Sequence, residues 1–552
     1  MKGAALPEIP GPHRREKTPT CATLLASVLH LLQHIARRCV DRLARGHLPY
    51  KRTYDLTWHA CFSAGCPMRD IVPLRVWLIM FFDVHSYRRE DTPMTQPDLA
   101  DIFAFVDSRR DEYLARVLSY VSQPSISAHG VGIAETGEWL LERLRALGMQ
   151  ARLMPTAGWP VVLAERHDVP GAPTVLFYGH YDVQPADPLD AWVSPPFEPE
   201  VRDGRIYGRG IADNKGQHFA QLLAIEATLA CRGALPCNVI VLLEGEEEIG
   251  SPNVPVFVRD HKDLLKADLV VTADGPVHAS GRSCIEFGVR GVFNFELRAR
   301  GAKQDVHSGN WGGIVPNPIW TLVHLLDTMK NARGEITIDG FYENVAPPTD
   351  LERAALANLP VDEDAIRRDL DLKEFDAPLE RGFYERLSLW PTLTINGLHG
   401  GYGGPGSKTV LPHEAFAKCD IRLVANQTVE EIAAKVAAHV AKHAPDVEMI
   451  PQGGMDPSKT PLDSPFAEPL RRALALGQNE EPLIVPAMGG SLPDYVFTKI
   501  LGVPAFVTPY ANVDEANHAP NENMEVERFY KGIKTGAAVM AYLGTLRDQQ
   551  NA

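Results

Sequence analysis

Cysteine is scarce in this chain: eight in 552 residues, at 21, 39, 61, 66, 231, 237, 284 and 419, with no Cys-x-x-Cys pair. That excludes a disulfide-built scaffold and fits a reducing, cytoplasmic setting with ordinary buried thiols. His59, Cys61, Cys66 and His85 match no standard zinc spacing. Long apolar runs are missing as well. The best candidate, VWLIMFFDV at 76–84, is interrupted by Asp83 and falls short of the roughly 18 residues a membrane span needs. LLASVLHLLQHIARRC is broken by His and Arg, so no secretory leader is expected. Basic charge is in deficit, 55 Lys and Arg against 70 Asp and Glu for a net −15. A nucleic-acid partner is excluded on that count.

What the chain does hold is an ordinary globular composition, 45% apolar and 23% charged, over a length that suggests about two to four domains. The first 93 residues stand apart, with 14 Lys and Arg against 8 Asp and Glu, where the other 459 carry 41 against 62. Their Pro-punctuated, arginine-rich pieces show no sustained periodicity and read as an extension without a clear fold of its own. From Met94, MTQPDLADIFAFVDSRRDEYLARVLSYVSQPSIS reads as one long amphipathic helix. Helical and strand patterns then alternate through ETGEWLLERLRALG, PTVLFYGHYDV, KGQHFAQLLAIEATLACRG, CNVIVLLEG and ADLVVTADG. Such alternation predicts an α/β fold whose central, mostly parallel sheet is covered by helices on both faces. Ligands of such sheets bind outside the carboxyl ends of the strands.

Polar residues gather at those ends. The first strand releases His180 and Asp182, the second Glu246, Glu247 and Glu248, the third Asp274. GRIYGRGIADNKGQ puts Asp213 at a helix start, and VPAFVTPYANVDEANHAPNE delivers His518 from a loop. Singly, each has an ordinary explanation: a hydrogen-bonded loop histidine, a helix N-cap, a solvated charge run. Together they ask for a cation, because carboxylates that emerge side by side repel one another. Two Zn²⁺ ions bring +4, which Asp213, Asp274, Glu248 and one hydroxide cancel. With Asp213 bridging, His180 and Asp274 complete one ion and Glu248 and His518 the other, leaving each the open position of a catalytic site. Glu247 is then placed to move the proton of an activated water, and Asp182 to orient His180, while Glu246 has no chemical role. Mixed imidazole and carboxylate donors accept Mn²⁺ or Co²⁺ as well as Zn²⁺.

HYDVQP (180–185), GRGIADNKGQ (208–217), EGEEEIGS (244–251), TADG (272–275) and the His518 segment resemble, in order and spacing, the dinuclear-zinc metallopeptidases. That family takes in aminoacylase-1, glutamate carboxypeptidase and the cytosolic non-specific dipeptidase/carnosinase group. The resemblance runs from about 98 to 548. It implies a catalytic domain in two parts, 98–286 and 461–548, around a smaller α+β lid and dimerisation domain at 287–460. It implies metal-dependent hydrolysis of dipeptides and a homodimer, with N-acyl-amino-acid deacylation as the first alternative and a binding protein that keeps the fold without turnover, which loss of Glu247 or Asp213 would signal, as the second. Glu247 and Glu248 fall on the base and ligand positions of the family motif, and Asp213–Asn214 on a cis peptide. RARGAKQDVHSGNWGGIVPNP (298–318) is similar to the dipeptidase branch, implying that His307 donates to the oxyanion in the active site of the other subunit. SKTVLPHEAFAKCDIRLV (407–424) implies Thr409 and Arg422 as binders of the substrate's C-terminal carboxylate. GGS at 489–491 implies Gly490 and Ser491 on the substrate backbone.

Overall fold

The segment TVLFYGH, Thr174–His180, is buried along its whole length, as a strand covered on both faces must be. It lies inside an eight-stranded sheet. The order is Gln150–Met154, Val161–Arg166, Asn238–Glu244, Thr174–His180, Leu269–Thr272, Ala505–Val507, Cys284–Glu286 and Leu483–Val485. The computed structural model behind this topology describes residues 96–376 and 381–550. The extension read at 1–93 lies outside the described residues.

Four adjacent strands, from Asn238–Glu244 to Ala505–Val507, run parallel. The first two strands of the order are antiparallel additions, and Val507 meets Glu286 antiparallel. The fold is therefore α/β with a mostly parallel central sheet, as the alternation predicts. Side chains divide by the strand's period of two. Val175, Phe177, Val239 and Val241 face one core with Phe219, Leu223, Ile533 and Ala537. Leu176, Tyr178, Ile240 and Leu242 face another with Val254, Phe257, Val496 and Phe497. At about 1.5–3 kcal/mol per buried large apolar side chain, this two-sided burial fixes the register that the site depends on.

One expectation needs correcting. The stretch after Met94 forms two helices, Ala100–Ser108 and Arg110–Val121. Arg109 between them leaves the helical region at φ −110°, ψ 13°. The break lets Arg110 lie over the Tyr530 ring, 3.8 Å from its centroid, and pair with Glu527. The apolar stripe continues through it, with Ile102 and Val106 on one side and Tyr113, Val117 and Tyr120 on the other, all buried.

A second sheet is antiparallel, in the order Thr392–Gly400, Glu414–Leu423, Gly291–Arg300, Glu448–Met455. Helices Pro318–Met329 and Val429–His443 cover it, enclosing a separate core that includes Phe293, Phe295, Leu325, Ile421 and Val436. Among the described residues no helix is long and apolar enough to cross a membrane, and Cys231, Cys237, Cys284 and Cys419 are free thiols.

Candidate metal centre

Register places the polar residues level. Tyr178 pairs with Leu242 on one side and Thr272 on the other, and His180 with Glu244. His180 and Asp274, each two residues beyond a paired position, therefore leave the sheet at the same height as the glutamate turn that follows Glu244. Gly179 makes the next contact possible: a Cβ there would sit 2.7 Å from His218 Cβ and 2.8 Å from Asn214 Oδ1. Its absence lets the start of helix Lys215–Arg232 dock directly on the strand end. Asn214 Oδ1 then accepts from the His180 amide at 3.2 Å and faces His218 Nδ1 at 3.0 Å. The Asp213–Asn214 peptide is cis, as the resemblance implies.

Asp213 lies between two imidazoles. Its Oδ1 is 3.1 Å from His180 Nε2 and its Oδ2 is 3.0 Å from His518 Nε2. Asp274 Oδ2 is 3.6 Å from the same His180 nitrogen, and Glu248 Oε2 is 3.0 Å from the same His518 nitrogen. The potential ligand atoms fall into two groups, His180–Asp213–Asp274 and Asp213–Glu248–His518. In each they lie within 4.8 Å of one another, and Asp213 belongs to both.

The supports are as specific as the cluster. Asp182 accepts the amides of Glu247 at 3.2 Å and Glu248 at 3.1 Å, while its main-chain oxygen lies 3.1 Å from His180 Nδ1. Gln184 donates its amide to Glu248 Oε1 at 3.1 Å. Glu522, fully buried, accepts from the amides of Gly210, Ala212 and Asp213 and from Arg209 Nη1, at 2.7–3.0 Å. His518 and Ala516 both sit at φ 55°, a left-handed conformation that costs non-glycine residues on the order of 1 kcal/mol.

Electrostatics follow from crowding. Burial pushes the Glu247 carboxyl well above its ordinary range, and Asp274, Glu248 and Asp213 add to this, with His180 pulling the other way. Burial and Asp213 raise Glu248 to about 7. Burial also works to raise Asp213, but His180 and His518 beside it hold it low. The carboxylates of Asp213 and Glu248 raise His518 to about 10. Glu248 Oε2 is buried without a hydrogen bond, although His518 Nε2 is close. A divalent cation fits this donor set, because it exchanges for the imidazole protons and takes the orphaned carboxylate oxygen as a ligand.

Other residues singled out by sequence lie elsewhere. His307 is exposed, with Nδ1 accepting from the Gly309 amide at 3.0 Å and Nε2 3.2 Å from Thr409 Oγ1. Arg422 Nη1 donates to Ser491 Oγ at 2.8 Å, and Gly490 O accepts the Arg290 amide. Among the described residues no hydrogen bond or ion pair joins either group to the imidazole–carboxylate clusters. Glu246, given no role from sequence, is buried and accepts from Asn253 Nδ2 at 2.8 Å, bracing the glutamate turn. Sequence reading gave Asn214 no role beyond a cis peptide bond, and it missed Glu522. Asn214 lies inside the quoted GRGIADNKGQ, and Glu522 is the acidic residue four positions after His518.

An α/β sheet with two imidazole–carboxylate clusters at its carboxyl edge, and the buried Glu247 beside them, has the donor set of a metal-dependent hydrolase. The chain belongs to Peptidase family M20/M25/M40, whose model matches residues 176–542, and is thus a metallopeptidase. Its relatives include a human protein named Beta-Ala-His dipeptidase, 29% identical over 82% of this chain and 95% of its own. A Schizosaccharomyces pombe protein named Cys-Gly metallodipeptidase dug1 is 29% identical over 79% of this chain and 96% of its own. Among solved structures, an M20 family metallo-carboxypeptidase from Sulfolobus solfataricus superposes with a TM-score of 0.74 at 35% identity, covering 78% of this chain and 99% of that one.

Proposed function

We propose that the chain hydrolyses dipeptides at the bond preceding a free C-terminal carboxylate, with a dinuclear metal site at the His180–His518 clusters. The shared aspartate carries this reading, since the two oxygens of Asp213 face two different imidazoles. The names of the relatives support the substrate class, because dipeptidases and carboxypeptidases alike release a C-terminal residue.

In this reading His180, Asp213 and Asp274 hold one divalent ion and Asp213, Glu248 and His518 the second, with Zn²⁺ the first choice. Such a pair, when bound, polarises the scissile carbonyl and acidifies water. Glu247 takes the proton of the attacking water on its carboxylate and returns it to the leaving nitrogen. Its burial favours the protonated form that must persist between the two transfers. Asp182 gives His180 Nδ1 an acceptor, which turns Nε2 toward the metal, and it ties base and ligand to one frame through their amides. Residues 287–460 act as lid and dimerisation domain. There Trp311, Ile314, Trp320, Ile395 and Leu398 are exposed by 47–74%, apolar surface that a second copy would cover. His307, on the same domain, serves the neighbouring subunit, while Thr409, Arg422, Gly490 and Ser491 receive the substrate.

The test is metal content and turnover measured together. Glu247→Gln is expected to keep both ions and lose at least about 10²-fold in kcat, whereas Asp213→Ala loses metal. An empty site in Glu247→Gln with a full, inactive one in Glu248→Gln reverses the two roles. Turnover of N-acetyl amino acids but not of dipeptides makes the chain a deacylase.

A further inference from the structure

His307 is exposed, yet both nitrogens of its ring are engaged within the chain. It closes the two-residue strand Val306–His307, which pairs antiparallel with Val410–Leu411. From an extended conformation, φ −67°, ψ 123°, it also caps the short helix Ser308–Trp311. Nδ1 accepts the Gly309 amide at 3.0 Å. A main-chain amide only donates, so Nδ1 must present its lone pair, and the proton of the neutral ring lies on Nε2. Nε2 faces Thr409 Oγ1 at 3.2 Å, and in this tautomer it donates to the hydroxyl oxygen. The reverse arrangement, with the hydroxyl donating to Nε2, would set one N–H against another at Gly309.

Glycine at 309 is what lets the ring and the amide meet. A Cβ there would sit 2.9 Å from His307 Cε1 and 3.1 Å from Nδ1, so a side chain would drive the ring away. The backbone itself does not ask for glycine, because Gly309 has no positive φ. A second tie holds the hairpin. Asp305 Oδ1 accepts the His413 amide at 3.0 Å and lies 2.6 Å from His413 Nδ1, while the Ser308 amide donates to Thr409 O at 3.1 Å. The side chains of Asp305 and His413 are 45% and 58% exposed, and exposed pairs of this kind contribute little to stability. What they fix is geometry: the strand that carries His307 is held at both ends.

We infer that Gly309 is a positioning residue for hydrolysis: its amide, in contact with a ring that no side chain keeps away, sets His307 as a neutral donor through Nε2. The Asp305–His413 pair steadies the hairpin that presents this donor. That His307 serves the oxyanion of the neighbouring subunit rests on the reading above; the tautomer does not. A neutral N–H stabilises developing negative charge without surrendering its proton. On meeting substrate, Nε2 gives up only its bond to Thr409, so the donor is oriented before the reaction begins.

Two measurements on the full-length, metal-loaded protein test this. The first is ¹⁵N NMR of protein labelled at histidine, with the His307 signals identified by their loss in His307→Ala. The wild type is expected to show His307 protonated at Nε2, and Gly309→Ala to lose that pattern. The second is calorimetry with a phosphinic dipeptide, whose tetrahedral P–O⁻ stands in for the oxyanion, beside turnover of the matching dipeptide. Gly309→Ala is expected to bind the phosphinate about 10- to 100-fold more weakly and to lower kcat by a similar factor. KM, metal content and melting temperature should stay at their wild-type values. In a His307→Ala background the same substitution should cost nothing further, since both act through one ring. Asp305→Ala should lower kcat by a smaller factor, and Asp305→Asn, which keeps the acceptor oxygen, should recover most of it. A wild-type His307 protonated at Nδ1 overturns the inference, as does an equal loss from Gly309→Ala with and without His307. If His307→Ala binds the phosphinate as the wild type does, the oxyanion reading falls and takes Gly309's part in turnover with it, even where the NMR finds the proton on Nε2.

Discussion

At the scale of single residues, the site depends on one missing side chain as much as on any present. Gly179 is the last residue before His180, and the space a Cβ would need is filled by His218 and Asn214. Gly179→Ala is expected to push the start of helix Lys215–Arg232 off the strand end and break the Asn214 bond to the His180 amide. A loss on the order of 1–3 kcal/mol of stability should accompany weaker metal retention, read by urea unfolding and by metal analysis after dialysis. Unchanged values in both measurements would mean that the helix start adjusts freely. The cluster residues were legible in the sequence because each is a charged or imidazole group at a helix start or on a turn or loop that follows an apolar strand. Glu522 was not. Its role is to accept three backbone amides from a loop more than 300 positions earlier in the chain, and nothing in the NEN context of residues 521–523 reports such a distant contact.

At the scale of elements, the alternation of helix and strand was readable because buried parallel strands are almost purely apolar, and the structure bears it out strand by strand. The break at Arg109 was hidden because the apolar stripe does not change phase across it; what decides it is the docking of Arg110 on Tyr530, a tertiary contact. The placement of His307 and Thr409 together, and of Arg422 with Ser491, likewise depends on how the antiparallel sheet meets the rest of the chain. The helix Pro318–Met329 shows what that sheet offers to a neighbour. It buries Leu322, Leu325 and Met329 while Trp320 lies 61% exposed. Replacing Trp320 and Ile314 together by Asp is expected to halve the mass seen by light scattering and to reduce turnover with it, because the proposed oxyanion donor comes from the second copy. A double variant that stays dimeric would put the interface elsewhere. One that turns monomeric with full activity would remove His307 from the chemistry of the other subunit.

At the scale of the whole molecule, buried acids make stability depend on pH. Glu286 and Asp494 are both buried, each with one carboxyl oxygen lacking a hydrogen bond. Burial, followed by Asp494, raises Glu286 to about 8, and burial, followed by Asp274, raises Asp494 to about 7. The folded state therefore holds these protons more tightly than the unfolded chain. Their stabilising effect is complete below the ordinary carboxylate pKa of about 4 and is lost as pH rises through about 7 and then 8. The urea midpoint of Glu286→Gln is expected to fall less than that of the wild type between pH 5 and 8, these values chosen to span the window. The difference approaches about 1.4 kcal/mol per pH unit where one group titrates alone. Parallel profiles for the two proteins would show that Glu286 is already ionised in the fold.

Strand Ala505–Val507 lies between Leu269–Thr272 and Cys284–Glu286, and this has a consequence for biosynthesis. While the polypeptide leaves the ribosome, the edge of Leu269–Thr272 waits for a neighbour encoded more than 200 codons downstream. At ordinary elongation rates of about 5–20 residues per second, that wait is on the order of ten to fifty seconds. His518 and Glu522 arrive later still. A nascent chain thus has an open, aggregation-prone β edge and an incomplete imidazole–carboxylate cluster until His518 has been added. Completion of the sheet and, in the proposed reading, of the metal site then coincide, so products truncated before His518 are expected to be inert toward peptides.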